Sequence, residues 1–338
     1  MIRDGFRSLR KAGVLGMNYR NAAYIMAHNA RSRFPLVDDK VRTKLLAAKF
    51  GIPSPELYAV VDNHGDIAKL PGVLGERREF VIKPARGSGG SGIVLIRDRT
   101  AEGFVTQSGQ VMSMDDFAYH TASILSGIYS LEGSEDAAIV EALIHPDPVF
   151  DSVTYRGGVP DVRVIVYRGV PLMAMVRLPT QASDGKANLH QGAIGAGIDI
   201  GSGITLTAVH GSHIVSRHPD TGHPVTGIQL PHWERLLTMA AVATEMTDLG
   251  YLGADIVLDR EKGPVLLELN ARPGLAIQLA NRSGLRRRLD QIDEAPAEVF
   301  LSPASRVAWA RERFGRPEGP ATSPRPEGAA SPGSSQES

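Results

Sequence analysis

The chain has 338 residues, of which 42% are hydrophobic and 22% charged, values typical of a soluble globular protein with one large domain or two ordinary ones. Lys plus Arg and Asp plus Glu number 37 each, so no overall field attracts nucleic acid or an anionic membrane, and neither is expected as a partner. The absence of cysteine excludes disulfides, thiolate catalysis and Cys-ligated metal sites.

The N-terminal stretch MIRDGFRSLRKAGVLGMNYR carries charges but lacks the apolar core of a signal peptide. No apolar run approaches the length of a membrane span. A cytoplasmic protein is therefore expected.

The first 36 residues are predicted to be helical. Asp38 or Asp39 is predicted to cap a helix over 40–50, which Gly51 and Pro53 end. Lys40 and Lys44 are four residues apart and share one face of that helix. Spacing alone favours a solvated surface pair for these two lysines.

From residue 56 onward, short segments rich in β-forming residues alternate with Gly, Pro and Asp. The patterns predict strands at 57–61, 79–83, 92–96, 137–144, 162–168, 170–178, 253–259 and 264–270, and helices at 114–130, 231–250 and 303–315. This mixture predicts an α+β fold with antiparallel hairpins and not a regular βαβ alternation. The Pro-, Gly- and Ser-rich tail at 316–338 is expected to be disordered.

The stretch 81-VIKPARGSGGSGIVLI-96 contains a glycine-rich loop that fits the pattern G-x-G-x-x-G. A Rossmann loop leads into a helix, and a Walker A loop ends in Gly-Lys-Ser/Thr; neither is present here. In a protein kinase the lysine follows the loop, whereas Lys83 precedes this one. The loop, Gly87 to Gly92, can present N–H groups to phosphates while Ser88 and Ser91 add hydroxyl donors. The loop alone is equally consistent with a flexible hairpin tip.

Acidic and amide side chains cluster in 253-GADIVLDREKGPVLLELNARPG-274. Glu268 and Asn270 alternate along one strand and so share a face, and the register of the hairpin can place Asp255 beside them. Two carboxylates and an amide oxygen are ligands that suit Mg²⁺. Glu268 by itself would be an ordinary surface carboxylate.

Two arginines and a histidine complete the candidate residues. Arg163 and Arg177 lie on adjacent predicted strands, where each could bind phosphate or simply be exposed. His190 could be a catalytic base or a polar loop residue, and a positioning role is favoured.

Taken in order, the segments DDKVRTKLLAAKFGIPSPELY, FVIKPARGSGGSGI, IVEALI, DVRVIV, KANLHQGA, GADIVLD and LLELNARPGL resemble the ATP-grasp superfamily over residues 37–290. More narrowly, they resemble the alpha-L-glutamate ligase-related (RimK-like) proteins. The resemblance implies two α+β subdomains that grip ATP between them, preceded here by a short helical extension.

The resemblance also assigns roles to particular residues. Lys40 and Lys83 match nucleotide-contacting lysines, and the loop of Gly87, Ser88, Gly89, Gly90, Ser91 and Gly92 matches the flap over the phosphates. The hinge that binds adenine is matched by Glu141, Ala142 and Leu143, and the residue that contacts the ribose is matched by Asp161. The phosphate-facing arginines are matched by Arg163 and Arg177, and a loop residue near the transferred phosphate is matched by Asn188. The magnesium ligands are matched by Asp255, Glu268 and Asn270. Lys44 is expected to be structural.

The implied layout is an N-terminal helical extension at 1–36, a subdomain with the flap at 37–135, a subdomain with the metal site at 136–290, a helical segment at 291–315 and the tail. Family members carry a sizeable domain before the first lysine segment, and here only about 36 residues precede it. Recognition of the acceptor is therefore expected from the terminal helices or from a partner protein.

The implied activity is ATP-dependent carboxylate–amine ligation with ATP and Mg²⁺, two ions being expected and Mn²⁺ a substitute. The substrates would be a small-molecule carboxylate and amine, or a peptide or protein acceptor that receives an amino acid such as glutamate. A phosphotransferase and a non-catalytic nucleotide-binding module acting with a partner enzyme are the alternatives.

Overall fold

Thirteen β-strands form two antiparallel sheets in the computed structural model, which describes residues 9, 11–87, 89–130, 133–155 and 157–316. Ser88 and the tail beyond Arg316 lie outside the described residues, so the expected disorder of 316–338 stays a prediction. The antiparallel pairing of both sheets confirms the α+β class.

The smaller sheet contains the strands on either side of the glycine-rich loop. Its members are β1 (Leu57–Val61), β2 (Phe80–Pro84), β3 (Val94–Arg99), β4 (Phe104–Thr106), β5 (Val111–Met112) and β6 (Ala138–Glu141), in the order β1-β6-β2-β3-β4-β5. A strand follows the glycine-rich loop, as the alternation in IVLIRDR predicts, because β3 pairs antiparallel with β2.

The larger sheet contains the remaining strands. They are β7 (Asp161–Tyr167), β8 (Val170–Leu178), β9 (Ile194–Ile198), β10 (Thr205–His210), β11 (His213–Val215), β12 (Tyr251–Asp259) and β13 (Gly263–Asn270), in the order β11-β10-β9-β8-β7-β12-β13. The hairpin of β12 and β13 confirms the predicted pair of strands, and β9 to β11 are strands that the sequence patterns did not predict.

The helices are short apart from three of them. They are α1 (Met17–Arg20), continued by a π-helix (Asn21–Ile25) and α2 (Met26–His28), α3 (Pro35–Asp38), α4 (Lys40–Lys49), α5 (His64–Ile67), α6 (Leu70–Leu74), α7 (Met114–Leu125), α8 (Trp233–Thr247), α9 (Ile277–Asn281), α10 (Arg286–Asp293) and α11 (Pro303–Phe314). No helix in the described ranges is both long and apolar enough to cross a membrane.

Local signals explain where the longer helices begin. Asp39 caps α4, because its side chain accepts from the backbone N–H groups of Val41 and Arg42. Ser113 and Asp116 form a reciprocal capping box at the start of α7. The predictions of helices starting at 40 and 114 are thereby confirmed.

Each sheet has its own apolar core. In the smaller sheet, Phe80, Phe104 and Phe117 pack edge to face with ring centroids 5.0–5.7 Å apart. On the larger sheet, α8 buries Leu236 and Leu237 in the main cluster. Outside these two apolar cores, β2, β6, β7 and β12 carry the charged residues that form the region described below.

The N-terminal segment packs on the larger sheet. The side-chain amide of Asn29 donates to Tyr251 O at 2.6 Å and to Ala271 O at 3.2 Å, and Asn29 Oδ1 accepts from Tyr251 N at 2.9 Å. Tyr24 packs edge to face on Tyr167 with centroids 5.4 Å apart. The segment is therefore an integral part of the core around β7 and β12.

A first prediction concerns this docking. Asn29→Ala is expected to lower the free energy of unfolding by about 2–3 kcal/mol, because three hydrogen bonds are lost and buried backbone groups lose their partner. Chemical denaturation measures the change. Asn18→Ala, at an exposed position in the same segment, should change the free energy of unfolding by less than about 0.5 kcal/mol. Equal effects of the two substitutions would contradict the docking described here.

Candidate functional site

A buried network of charges crosses three adjacent strands of the larger sheet. Asp255 on β12 lies opposite Arg163 on β7, and Asp161 on β7 lies opposite Arg177 on β8. Arg163 Nε donates to Asp255 Oδ1 at 2.7 Å, and Arg177 Nη2 donates to Asp255 Oδ2 at 2.9 Å. Arg177 also binds both oxygens of Asp161. The register of the strands thus places two carboxylates and two guanidinium groups on one face.

The surroundings of Asp255 and Asp161 shift the pKa values of these two carboxylates in opposite directions. Burial opposes the charged form of Asp255, but Arg163 and Arg177 outweigh it and hold the pKa of Asp255 well below its ordinary range. Burial raises the pKa of Asp161, because this carboxylate has only one arginine in direct contact and Asp255 as a like-charged neighbour. The network therefore favours the ionised form of Asp255 more than that of Asp161.

Glu268 and Asn270 of β13 lie beside Asp255 of the neighbouring strand β12. Glu268 lies opposite Asp255 in the register, and Asn270 Nδ2 lies 3.2 Å from Asp255 Oδ2 and 3.3 Å from Glu268 Oε1. The structure therefore brings the three predicted magnesium ligands together. Within the described ranges no group of three or more His, Asp or Glu side chains is placed to hold a metal ion, so the protein ligands that this trio offers are two carboxylates and the Asn270 amide.

The donor chemistry of this trio fits a hard divalent cation. Two carboxylates and an amide supply oxygen ligands, once the amide turns its oxygen toward the carboxylates. Glu268 is the accessible member, with 32% of its side chain exposed, while Asp255 is fully buried. Both oxygens of Asp255 already accept from a guanidinium, so a cation that binds Asp255 would compete with Arg163 or Arg177.

A second buried network lies on the smaller sheet. Glu141 on β6 is 2% exposed and forms ion pairs with Lys83 on β2 and with Lys44 on α4, the latter at 2.7 Å. Burial alone would raise the pKa of Glu141, but the ammonium groups of Lys83 and Lys44 lower it below its ordinary value. Burial also lowers the pKa of Lys44, against the charge of Glu141.

Lys44 is therefore not the solvated residue that its spacing indicates. It is 7% exposed, and its ammonium group also donates to Pro55 O at 2.8 Å. The helical face that Lys40 and Lys44 share points into the molecule, because Lys40 donates to Gly87 O while Lys44 pairs with Glu141. This burial is consistent with the structural role that the resemblance implies for Lys44.

Lys40 connects α4 with the glycine-rich loop. Its backbone N–H donates to Ala85 O at 3.0 Å, and its ammonium group donates to Gly87 O at 2.7 Å. Burial lowers the pKa of Lys40, while the charge of Glu268 opposes the shift. Because Glu268 belongs to the larger sheet and Gly87 to the loop of the smaller one, Lys40 lies in the cleft between the two sheets.

The loop itself crosses toward the larger sheet. Gly89, Gly90 and Gly92 all have positive φ, between 66° and 81°, which explains why glycine occupies these positions. Gln191 Nε2 donates to Gly89 O at 3.0 Å, and a Cβ on Gly89 would lie 3.6 Å from Asn188 Nδ2. The tip of the loop therefore lies beside the segment that contains Asn188.

The remaining loop residues that the structure describes are Gly87, which pairs with Ser130 in an isolated β-bridge, and Ser91. Ser91 is exposed, and His120 Nε2 lies 3.1 Å from Gly92 O, within hydrogen-bonding distance. His190 is exposed, and its backbone N–H donates to Asn188 Oδ1 at 3.0 Å. This hydrogen bond orients the Asn188 side chain, and it comes from the backbone of His190 and not from its imidazole.

The base of the loop is held by Asp136 and Arg86, two residues that the sequence patterns did not single out. The buried carboxylate of Asp136 accepts from Arg86 N at 3.0 and 3.1 Å and from Ala137 N at 2.7 Å. Arg86 Nε lies 3.4 Å from Asp39 Oδ2, the residue that caps α4. Asp39 has a recognisable capping position, but nothing in the local pattern of GSEDAAIV distinguishes Asp136 from a surface residue.

The predicted hinge follows β6. Ala142 N donates to Glu56 O at 2.8 Å, so this N–H is already paired. In the part of the chain that is described, the backbone N–H of Leu143 has no hydrogen-bond acceptor, and the residue is 7% exposed. Of the two N–H groups, that of Leu143 is the one free to contact a ligand.

Residues 19–294 match the family described as sugar-transfer associated ATP-grasp, a range that covers well over half of the chain. This match and the two-sheet topology confirm the ATP-grasp fold expected from the sequence motifs; the narrower RimK-like resemblance is not specifically supported. No curated protein matches the sequence.

Several solved structures are similar at low sequence identity. The ATP-grasp ligase PsnB, complexed with its minimal precursor, is 13% identical with a TM-score of 0.42, over 78% of this chain and 61% of PsnB. D-cycloserine synthetase DcsG is 16% identical with a TM-score of 0.41, over 83% and 71% of the two chains. D-alanine–D-alanine ligase from Bacillus anthracis is 13% identical with a TM-score of 0.39, over 83% and 68%. The present chain thus spans less than two thirds of the length of PsnB.

A second prediction tests the buried environment of Lys44. Lys44→Met is expected to lower the free energy of unfolding by about 3 kcal/mol, because Glu141 loses one of its two cations at a buried position. Lys49→Met, at an exposed position of the same helix, should have an effect below about 0.5 kcal/mol. Thermal or denaturant unfolding would show the difference, and similar small effects of both would support a solvated Lys44.

Proposed function

We propose that this chain, which belongs to the sugar-transfer associated ATP-grasp family, is an ATP-dependent carboxylate–amine ligase. The observation that carries the proposal is the convergence of three sets of groups on one cleft. These are the lysines of the smaller sheet, the arginine–carboxylate network of the larger sheet and the glycine-rich loop between them.

The cationic side chains would bind the triphosphate of ATP. Lys83 would reach the triphosphate from β2 of the smaller sheet, Lys40 from α4, and Arg163 and Arg177 from the larger sheet. Each of these groups now pairs with a carboxylate or a carbonyl of the protein, so phosphate oxygens would replace those partners. The hinge of Glu141, Ala142 and Leu143 would hold the adenine, with the free N–H of Leu143 as donor, and Asp161 is proposed to lie near the ribose.

Asp255, Glu268 and Asn270 would hold Mg²⁺, with two ions or Mn²⁺ as further possibilities. When bound, the metal would neutralise part of the charge of the triphosphate. The residues of the chain supply positioning and charge compensation, which is what phosphoryl transfer requires. Asn188 would lie near the transferred phosphate, because the tip of the loop contacts its segment.

The proposed reaction has two steps. A substrate carboxylate attacks the γ-phosphate of ATP, the bond to the β-phosphate oxygen breaks, and an acyl phosphate and ADP form. An amine then attacks the acyl carbon, phosphate leaves, and loss of a proton from nitrogen gives the amide. Neither step needs a covalent protein nucleophile, in keeping with a chain that has no cysteine.

The substrates that we propose are an amino acid and an acceptor that receives it. The RimK-like resemblance suggests addition of an amino acid such as glutamate to a peptide, protein or small-molecule acceptor. The matched family is described as sugar-transfer associated, and on that ground an acceptor from a sugar-transfer process is proposed as well. The N-terminal segment or a partner protein would complete acceptor recognition, and the cytoplasm is the proposed location.

The test is release of ADP from the purified chain with Mg²⁺-ATP, pooled amino acids and amino sugars, and hydroxylamine. Hydroxylamine converts an acyl phosphate into a hydroxamate, so ADP with hydroxamate would support ligase chemistry. ADP without hydroxamate or amide would favour a phosphotransferase. Tight ATP binding without ADP would favour a non-catalytic binding module.

A third prediction concerns the metal donors. Glu268→Ala is expected to lower the rate of ADP release by at least about a hundredfold, because the accessible oxygen ligand is lost. The melting temperature should stay within a few degrees of the wild type. Glu261→Ala, at the exposed turn of the same hairpin, should retain full activity. Unchanged turnover in the Glu268 variant would remove Glu268 from the site.

A fourth prediction concerns nucleotide affinity. Lys83→Met should raise the dissociation constant of ATP about tenfold or more, because a phosphate-facing ammonium group is lost. Equilibrium dialysis or calorimetry measures the affinity. Lys69→Met, on an exposed residue of the same subdomain, serves as the control. Equal ATP affinities for the wild type and the Lys83 variant would contradict the assignment.

A further inference from the structure

The balance of positive and negative charge holds for the whole chain but not for all of its parts. Residues 11–37 and 269–289 contain no Asp or Glu, whereas an even distribution of the 37 acidic residues would place about five of them there. The same two segments contain nine basic residues, which are Lys11, Arg20, Arg31, Arg33, Arg272, Arg282, Arg286, Arg287 and Arg288. Positive charge is therefore concentrated in two segments that are far apart in the sequence.

The two acid-free segments contact each other in the folded chain. The buried amide of Gln278 accepts from Leu15 N at 2.8 Å and donates to Leu15 O at 3.1 Å. Arg287 Nη2 donates to Lys11 O at 2.6 Å. The start of the first segment and the middle of the second therefore lie side by side and contribute to one surface.

Exposed side chains of two kinds flank these contacts. The cations are Lys11, Arg282 and Arg287, and the large apolar residues, which are 45–64% exposed, are Leu9, Met17, Tyr19 and Leu279. We call these residues the mixed surface. Large apolar side chains that lie together beside cations on a surface are typical of an interaction site.

The positive charge of the mixed surface is not compensated by the protein. Among the described residues, no carboxylate forms an ion pair with Lys11, Arg282 or Arg287. Asp290 Oδ2 lies 4.0 Å from Arg286 Nε and compensates that arginine. A partner of the mixed surface must therefore offer negative charge and, at the same place, an apolar environment.

We propose that the mixed surface binds peripherally to a membrane that contains anionic lipids. The cations would lie among the phosphates of the headgroups, while Met17 and Leu279 would enter the boundary between headgroups and acyl chains. The cytoplasmic leaflet carries negative charge of this kind, in keeping with the proposed location of the protein.

Nucleic acid fits the mixed surface less well, although its phosphates would also match the cations. Proteins bind unpaired bases by stacking on aromatic side chains, and Met17 and Leu279 are aliphatic. Tyr19 is the aromatic member of the surface, and the guanidinium of Arg286 already lies 4.7 Å from the centroid of its ring. The apolar residues therefore favour a lipid interface.

The mixed surface is close in the chain to the proposed metal donors. Asn270 ends β13, and α9, which carries Leu279, begins at Ile277. Arg20 Nη1 donates to Pro273 O at 2.6 Å and so joins the N-terminal segment to the turn between these elements. Membrane binding would hold the cleft near the lipid surface. For the proposed ligase this favours an acceptor held at a membrane, a consequence that rests on the proposed function, whereas the binding itself does not.

The experiment is co-sedimentation of the full chain with vesicles of phosphatidylcholine alone or of equal parts phosphatidylcholine and phosphatidylglycerol. The wild type should bind the anionic vesicles at least about tenfold more tightly than the neutral ones. The double variant Lys11→Gln with Arg282→Gln should bind the anionic vesicles about tenfold more weakly, because two cations that face the headgroups are lost. Lys49→Gln with Lys262→Gln, which removes two exposed cations elsewhere, should bind like the wild type.

A second pair of variants tests the apolar residues. Met17→Ser with Leu279→Ser should weaken binding to the anionic vesicles about tenfold, because less apolar area enters the bilayer. The matched control is Ile128→Ser with Ile214→Ser, at two exposed positions outside the mixed surface, and it should bind like the wild type. Melting temperatures of all four double variants should confirm that each is folded.

The outcomes distinguish a membrane from other partners. Failure of the wild type to bind anionic vesicles, or unchanged binding by both test variants, would overturn the proposal. Weakened binding by the cation variant without any effect of the Met17 and Leu279 substitutions would also overturn it, in favour of an acidic macromolecule. The vesicle assay contains neither ATP nor Mg²⁺, so failure of the proposed ligase function would leave the membrane-binding surface standing.

Discussion

The pairing of Asp255 with Arg163 and Arg177 is the interaction on which the rest of the site depends. A fully buried carboxylate on a central strand is costly unless cations compensate its charge, and here two guanidinium groups do so. The compensation is possible because β7, β8 and β12 are adjacent and in register. The same geometry aims both arginines into the cleft where the proposed triphosphate would lie.

The charged groups of the cleft are thus paired with one another before any ligand binds. Glu141 alone pairs with both Lys44 and Lys83, which leaves one positive charge uncompensated there, while Asp161 and Asp255 match the charges of Arg163 and Arg177. Binding of a metal-nucleotide complex would exchange these partners and would not simply add contacts. Such an exchange lets a protein keep strongly charged groups buried without a large loss of stability in the free state. Lys40 is different, because its ammonium group rests on a carbonyl of the loop and can move without breaking an ion pair.

Some of this arrangement could be predicted from local sequence. Alternation in IVLIRDR predicts the strand after the glycine-rich loop, and the spacing of Glu268 and Asn270 predicts their common face, which the register with Asp255 confirms. β9 escaped prediction because its sequence IGAGI is rich in glycine. Glycine is required at position 197 by a long-range contact, since a Cβ there would lie 2.6 Å from the backbone oxygen of Ala280.

Other features have no local signal. Periodicity shows that Lys40 and Lys44 share a face but not what that face contacts, and the burial of Lys44 depends on Glu141, which is 97 positions away in the chain. Asp136 and Asn29 likewise act through partners that only the folded chain brings close. The roles of Asn188 and the hinge came from resemblance alone and stay proposals. Local sequence patterns therefore predict helices, strands and the residues that share one face of them. Long-range contacts determine which charged side chains are paired.

A crystal structure of the chain with Mg²⁺ and a non-hydrolysable ATP analogue would test the proposed site most directly. In that complex Arg163 and Arg177 are expected to leave Asp255 for phosphate oxygens, and Asp255, Glu268 and Asn270 are expected to coordinate the metal. A structure in which the nucleotide is bound while both arginines stay on Asp255, or in which the metal has other ligands, would contradict it.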